Sequence, residues 1–125
     1  MNPAADAPAA PTRRFVAVAL AEHDLLPPLP RALADAAELA QLLGERHGYD
    51  TEVLANPTRD AVQDCLASAS LAKADLILYW IGHGRRAPDG ALQLLGTKGD
   101  RVLANAAELG EWVAQTGAQQ VLLLL

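Results

Sequence analysis

An α/β domain organised around a mostly parallel sheet is what this sequence predicts. Short β-branched apolar runs alternate with segments of helical periodicity, and the joins between them are only a few residues long. The first run, Arg13-Arg-Phe-Val-Ala-Val-Ala-Leu20, lacks the polar alternation of a strand with one wet face, as expected of a strand buried on both faces. Strand, helix, strand, helix, strand in that order is the pattern of parallel strands joined by right-handed crossovers. The 125 residues, 51% hydrophobic and 20% charged, suffice for one core and one domain.

Residues 1–12, rich in Ala and Pro, read as a disordered lead to a domain spanning 13–125. The strand ending at Leu20 is closed by Glu22-His-Asp24 and three prolines. From Pro30 to His47, Leu33, Ala36, Ala37, Ala40 and Leu43 recur at helical spacing, and Gly48 stands where a helix ends in the left-handed region. Tyr49–Ala55 is a second strand, punctuated by Asn56-Pro57. Thr58 caps the next helix, Asp60 complements its dipole, and Ala61, Val62, Cys65, Leu66 and Ala69 share its apolar face. The third strand runs from Asp75 to Ile81. Arg85–Gly90 is polar and turn-rich, Ala91–Leu95 is a short strand and Lys98-Gly-Asp100 a turn, which together predict a small hairpin beside the sheet. Asn105 and Glu108 form a capping-box pattern for a helix with Leu109, Trp112 and Val113 inward and Gly117 at its end. Gln119–Leu125 reads as a fourth core strand, and a strand without a following turn carries the expectation that the native chain continues.

Composition excludes several classes of function. A net charge of -5, a pI near 5.0 and scattered basic residues leave no footprint for nucleic acid, and 4% aromatic residues make no stacking platform for bases. The single cysteine, Cys65, forms no internal disulfide or Cys-based metal site and suits a reducing compartment. The N-terminus lacks a signal peptide's basic region, and no apolar run approaches the ~20 residues that span a bilayer, so the reading is cytoplasmic with no membrane partner. No cofactor is evident, and Ala19-Leu-Ala-Glu-His-Asp24 lacks the Gly-x-Gly-x-x-Gly loop of dinucleotide-binding domains.

The chemistry points to His83. In an open parallel sheet, ligands and catalytic groups collect beyond the carboxyl ends of the strands, and Gly82-His83-Gly84 follows the third strand there. Glycines on either side permit close approach and unusual backbone conformations, and an imidazole suits general acid and base work near neutral pH. His23 shares that sheet edge and reads as a solvated loop residue. His47 sits at a helix C-terminus, Arg85 and Arg86 in a solvated turn, and Trp80 and Trp112 in the core or a pocket wall.

Tyr79-Trp-Ile-Gly-His-Gly84 resembles the "Y-(F/Y)-S-G-H-G" motif of the caspase-like cysteine peptidases, especially bacterial and metacaspase-type members. Leu33-Ala-Asp-Ala-Ala-Glu-Leu39 is similar to the metacaspase "N-D-A-x-x-(L/M)" segment, and Leu42-Leu-Gly-Glu-Arg-His-Gly-Tyr49 follows at the right distance. Asn56-Pro-Thr-Arg59 resembles the approach to that family's second helix, and Leu92-Gln-Leu-Leu95 its hairpin strand. The resemblance covers about residues 13 to 125 and rests on the order of all these pieces.

It implies a caspase-like three-layer α/β/α fold, with about four strands of the sheet present, and a Cys-His endopeptidase acting on peptide or protein substrates. His83 would assist the thiolate and protonate the leaving amine, with the Gly84 N–H in the oxyanion hole. Asp35 matches the aspartate of a pocket for a basic P1 side chain, which favours cleavage after Arg or Lys. Ile81 stands where the family has a pocket serine. The family's nucleophile follows the strand that begins here near Gln120, so the expectation is a cysteine beyond Leu125 and an inactive 125-residue chain. Calcium activation occurs in metacaspases, with its acidic ligands expected outside this chain. The C-terminal part of the same domain or an effector domain is the expected partner.

Two rivals share the element order. A flavodoxin- or receiver-like domain has only Glu22 and Asp24 in its support and lacks an acidic phosphoacceptor after the third strand. A pseudo-protease that binds partners through the same fold needs no cysteine at all.

Overall fold

The computed structural model describes residues 12–24, 26–97 and 102–125. Most of the expected N-terminal lead and the Lys98-Gly-Asp100 turn lie outside them.

The element order is β1 (Arg13–Ala19), α1 (Ala32–His47), β2 (Asp50–Ala55), α2 (Arg59–Leu66), a short 3-10 turn (Ala69–Leu71), β3 (Asp75–Ile81), β4 (Gly84–Arg86), β5 (Leu92–Leu95), β6 (Val102–Asn105), α3 (Ala106–Gln115) and β7 (Gln120–Leu124). β2, β1, β3 and β7 form one parallel sheet in that spatial order, and β4, β5 and β6 form an antiparallel one.

β1 is buried on both faces because its alternate side chains feed two separate layers. Val16, Val18 and Leu20 pack with Val62, Leu66, Leu78, Trp80, Leu109 and Trp112, beneath α2 and α3. Phe15, Ala17 and Ala19 face Ala36 and Ala40 of α1 on the other side. The result is a three-layer α/β/α arrangement, as the sequence predicts.

Local signals fix the helix ends. Gly48 closes α1 in the left-handed conformation at φ 70°, its N–H returning to Leu43 O. The Thr58 side chain accepts from the Ala61 N–H to start α2, and Asn105 and Glu108 form a complete capping box on α3.

Three expectations are corrected. The hairpin after β3 is present and gains a third strand, because Val102–Asn105 pairs with β5, while Arg85 and Arg86, read as the start of a polar turn, belong to the strand Gly84–Arg86. Ala69 lies in the 3-10 turn and is exposed, so it does not extend the apolar face of α2. β7 pairs in parallel with β3 but is not core: every residue of it is exposed, because no helix packs on it among the described residues.

Candidate functional site at the carboxyl edge of the sheet

The chain leaving β1 turns toward β2, whereas the chain leaving β3 leads eventually to β7 on the opposite side. The outgoing segments of these neighbouring strands therefore diverge, and an open α/β sheet forms its crevice at such a point. The Leu20 N–H donates to Ile81 O at 2.8 Å, carrying the ladder one residue past β1. Beyond it, His23 and His83 come together with ring centroids 4.4 Å apart and planes at 75°.

His83 is half-buried, and its Nε2 lies 2.7 Å from Pro27 O. A carbonyl only accepts, so Nε2 carries the hydrogen and the neutral ring keeps its lone pair on Nδ1. In the neutral ring that nitrogen is the one able to accept a proton. His23 is tied in the same way, its Nε2 donating to Leu20 O at 2.8 Å, while its Nδ1 is buried with no hydrogen-bond partner among the described residues. The solvated loop residue expected at position 23 is instead packed against His83, because the loop folds back over the strand ends.

Asn56 holds that loop in place. It adopts a left-handed backbone (φ 49°), and its Oδ1 accepts from the Ala21 and Glu22 N–H groups at 2.9 Å each. The Leu29 N–H returns to Ala21 O at 2.8 Å, and the Asp24 N–H reaches Thr97 O at 3.2 Å.

Neither glycine beside His83 has a positive φ, since among the described residues the positive-φ glycines are Gly48, Gly90 and Gly117, and Gly82 acts through space instead. A Cβ at position 82 would stand 3.1 Å from Leu20 Cδ1 and 3.2 Å from Leu20 Cβ, so only glycine lets the chain cross that buried leucine without displacement. Gly84 lies opposite Leu94 in the antiparallel ladder, and its neighbour His83 O accepts from the Leu95 N–H at 2.9 Å. Hydrogen-bonded and non-hydrogen-bonded pairs alternate in such a ladder, which turns the Gly84 N–H away from β5.

Ile81 ends β3 half-buried, on the α1 side with Leu33. Asp35 lies in the first turn of α1, a helix N-terminus on the same sheet edge, with its side chain 46% exposed and 3.3 Å from Arg31 Nη2. Asp35 thus lies at the same sheet edge as the histidine strand, in the helical layer that Ile81 faces, while the ion pair it forms is with Arg31.

Cys65 is elsewhere. Its Sγ lies 3.6 Å from Glu52 Oε2, and Glu52 is level with Val16 and, across β1, with Leu78. Leu78 precedes His83 by a stretch of strand worth roughly 16 Å, on a different strand from Glu52. Burial, then the neighbouring Glu52 carboxylate, pushes the Cys65 thiol up to about 11, opposite to what a nucleophile needs.

Of the other candidates, Trp80 and Trp112 are buried as expected. Arg85 and Arg86 belong to β4, with Arg85 Nε donating to Gln93 Oε1 at 2.8 Å, and His47 is exposed in the last turn of α1. No helix among the described residues is long and apolar enough to cross a membrane, and no group of three His, Cys, Asp or Glu among them could hold a metal ion. Sequence reasoning missed Pro27 and Asn56. Asn56 had a signal in its residue type, since Asn tolerates the left-handed backbone and its side-chain oxygen accepts from nearby backbone N–H groups, whereas the Pro27 carbonyl had none.

A family model described as the caspase domain of the C14 peptidases matches residues 14–112, which include β1 through most of α3. A search of curated proteins gave no match.

Proposed function

Because this chain belongs to the caspase domain family, we propose that it is the histidine-bearing part of a cysteine endopeptidase whose thiolate comes from residues outside these 125. The observation that carries the reading is the bond from His83 Nε2 to Pro27 O, which leaves a bare Nδ1 at the crevice between β1 and β3.

In this mechanism Nδ1 takes the proton of the cysteine thiol, and the thiolate attacks the scissile carbonyl carbon. The carbonyl oxygen gains charge within reach of the Gly84 N–H, whose direction away from β5 supports that role. The imidazolium then protonates the leaving amine as the C–N bond breaks, and the thioester formed is hydrolysed by water. The Nε2–Pro27 bond persists through both protonation states, so the ring transfers protons without turning.

Asp35 is proposed as the anionic wall of a pocket for a P1 Arg or Lys. A substrate guanidinium would compete there with Arg31, and Ile81 would supply an apolar floor where the family has serine.

The experiment is hydrolysis of fluorogenic peptides with Arg, Lys or Asp at P1 by the natural chain extended past Leu125. Cleavage after Arg or Lys, lost in His83→Ala and absent from the 125-residue chain, is the expected result. Activity that survives His83→Ala would sink the proposal. A non-catalytic caspase-like interaction module is the second reading, favoured by the remoteness and raised pKa of Cys65, the sole cysteine. An extension without a cysteine would decide for it.

A further inference from the structure

We propose that His23 is a positioning residue for His83, holding that imidazole in one orientation and one tautomer. The inference rests on the reading of His83 as the acid-base group, and it adds a second side chain to the site.

A single hydrogen bond from Nε2 to Pro27 O fixes one atom of the His83 ring and leaves rotation about that bond open. The His23 ring removes the remaining freedom. At 4.4 Å between centroids and 75° between planes, the two imidazoles meet edge to face, and His83 cannot turn about its side-chain axis without driving into its neighbour. His23 is itself fixed. Its Nε2 donates to Leu20 O, the loop that carries it is bound twice by Asn56 Oδ1, and Leu20 is fully buried.

The fixed tautomer follows from the same contacts. A half-turn of the His83 ring about Cβ–Cγ would bring Cε1 to the place of Nε2 and Cδ2 to the place of Nδ1, leaving Pro27 O without its donor and a carbon facing the thiol. With His23 in place, the bare nitrogen is always Nδ1. His23 also has no chemistry of its own to perform here, since its Nδ1 is buried and its Nε2 is engaged.

The test reads the ring nitrogens directly. Long-range 15N–1H correlation spectra of the 125-residue chain, well above the histidine titration range, should show His83 with hydrogen on Nε2 and a bare Nδ1. His23→Ala should move both nitrogens toward the averaged shifts of a free imidazole, and His23→Phe, which restores an aromatic wall, should bring them back. Amide spectra of each variant establish that the sheet is retained. In the extended chain, His23→Ala should lower kcat by up to roughly a hundredfold with KM within about twofold, as expected for a misaligned catalytic group.

Unchanged His83 nitrogen shifts in His23→Ala would overturn the inference. If the shifts move as expected but the extended wild-type chain cleaves no peptide, the positioning role stands and the peptidase reading falls.

Discussion

Arg59 lies over the indole of Trp112, its guanidinium carbon 4.9 Å from the ring centroid. The same guanidinium donates to Leu103 O at 2.8 Å and pairs with Glu108, so one side chain fastens α2 to both β6 and α3. With side chains 41% and 32% exposed, the Arg59–Glu108 pair is screened and contributes no more than about 1 kcal/mol. The stacking and the carbonyl bond add roughly as much again. Arg59→Ala should therefore cost about 2 kcal/mol in urea unfolding, and Arg59→Lys should recover little of it, because a point charge reproduces neither the fork nor the stacking.

The same pair sets a pH dependence. The hydrogen bond from Arg59 holds the Glu108 carboxyl below the usual carboxylate range, against a smaller opposing effect of burial. A folded-state pKa below the unfolded one adds stability that is fully present above the unfolded value, near about 4.3, and is lost as pH falls through the lowered folded value. The destabilisation by Glu108→Gln should thus be full at pH 7 and shrink below pH ~4. An equal difference at pH 7 and pH 3 would contradict this assignment.

Cys65 should behave as an inert thiol. With its pKa raised to about 11 by burial and by Glu52, roughly one molecule in a thousand carries the thiolate at pH 8. Alkylation by iodoacetamide should run about a hundredfold slower than in the urea-unfolded chain. Glu52→Gln should speed it, and Cys65→Ala should leave peptide cleavage by the extended chain intact.

Gly82→Ala places a methyl 3.1 Å from the Leu20 side chain, which is fully buried and cannot withdraw. Overpacking of this kind costs about 1–3 kcal/mol. The double variant Gly82→Ala/Leu20→Ala should be more stable than the sum of its single changes implies, since truncation removes the atoms that are struck.

The isolated chain should self-associate through β7. Val121, Leu122, Leu123 and Leu124 are 38%, 53%, 37% and 37% exposed on a strand at the sheet edge, and Leu125 just past it is 64% exposed. An open apolar edge pairs with another chain unless it carries charge. Sedimentation velocity should show concentration-dependent oligomers for the wild type and a shift toward monomer for Leu122→Lys/Leu124→Lys.

Elements written in local chemistry are legible in the amino-acid sequence. β3 ends at Ile81 as expected, Gly48 closes α1, and Thr58 and Asn105 cap the next two helices, because caps and strand punctuation act over a few residues. β4 and β6 are not legible there. Gly-Arg-Arg and Val-Leu-Ala-Asn carry no strand pattern of their own and become strands by pairing with Leu92–Leu95. For the same reason His83 can be found from its place after β3, whereas Pro27 cannot. A backbone carbonyl has no residue type to advertise it, and its approach across 56 positions of sequence is a product of the whole fold. His23 shows in the sequence only as a polar loop residue, since nothing local says that its loop turns inward.

Ala17 and Ala19 of β1 meet Ala36 and Ala40 of α1 in a layer of methyl groups that is almost entirely closed to solvent. The spacing between packed elements follows the size of the side chains between them, so α1 rides close to the sheet. The loop leading into α1 inherits that height, and with it the position of the Pro27 carbonyl. Four residues without a functional atom thus act as the gauge block of the site. Substitution at these positions should be poorly tolerated in either direction, because an added methylene lifts the helix and a lost methyl leaves a gap.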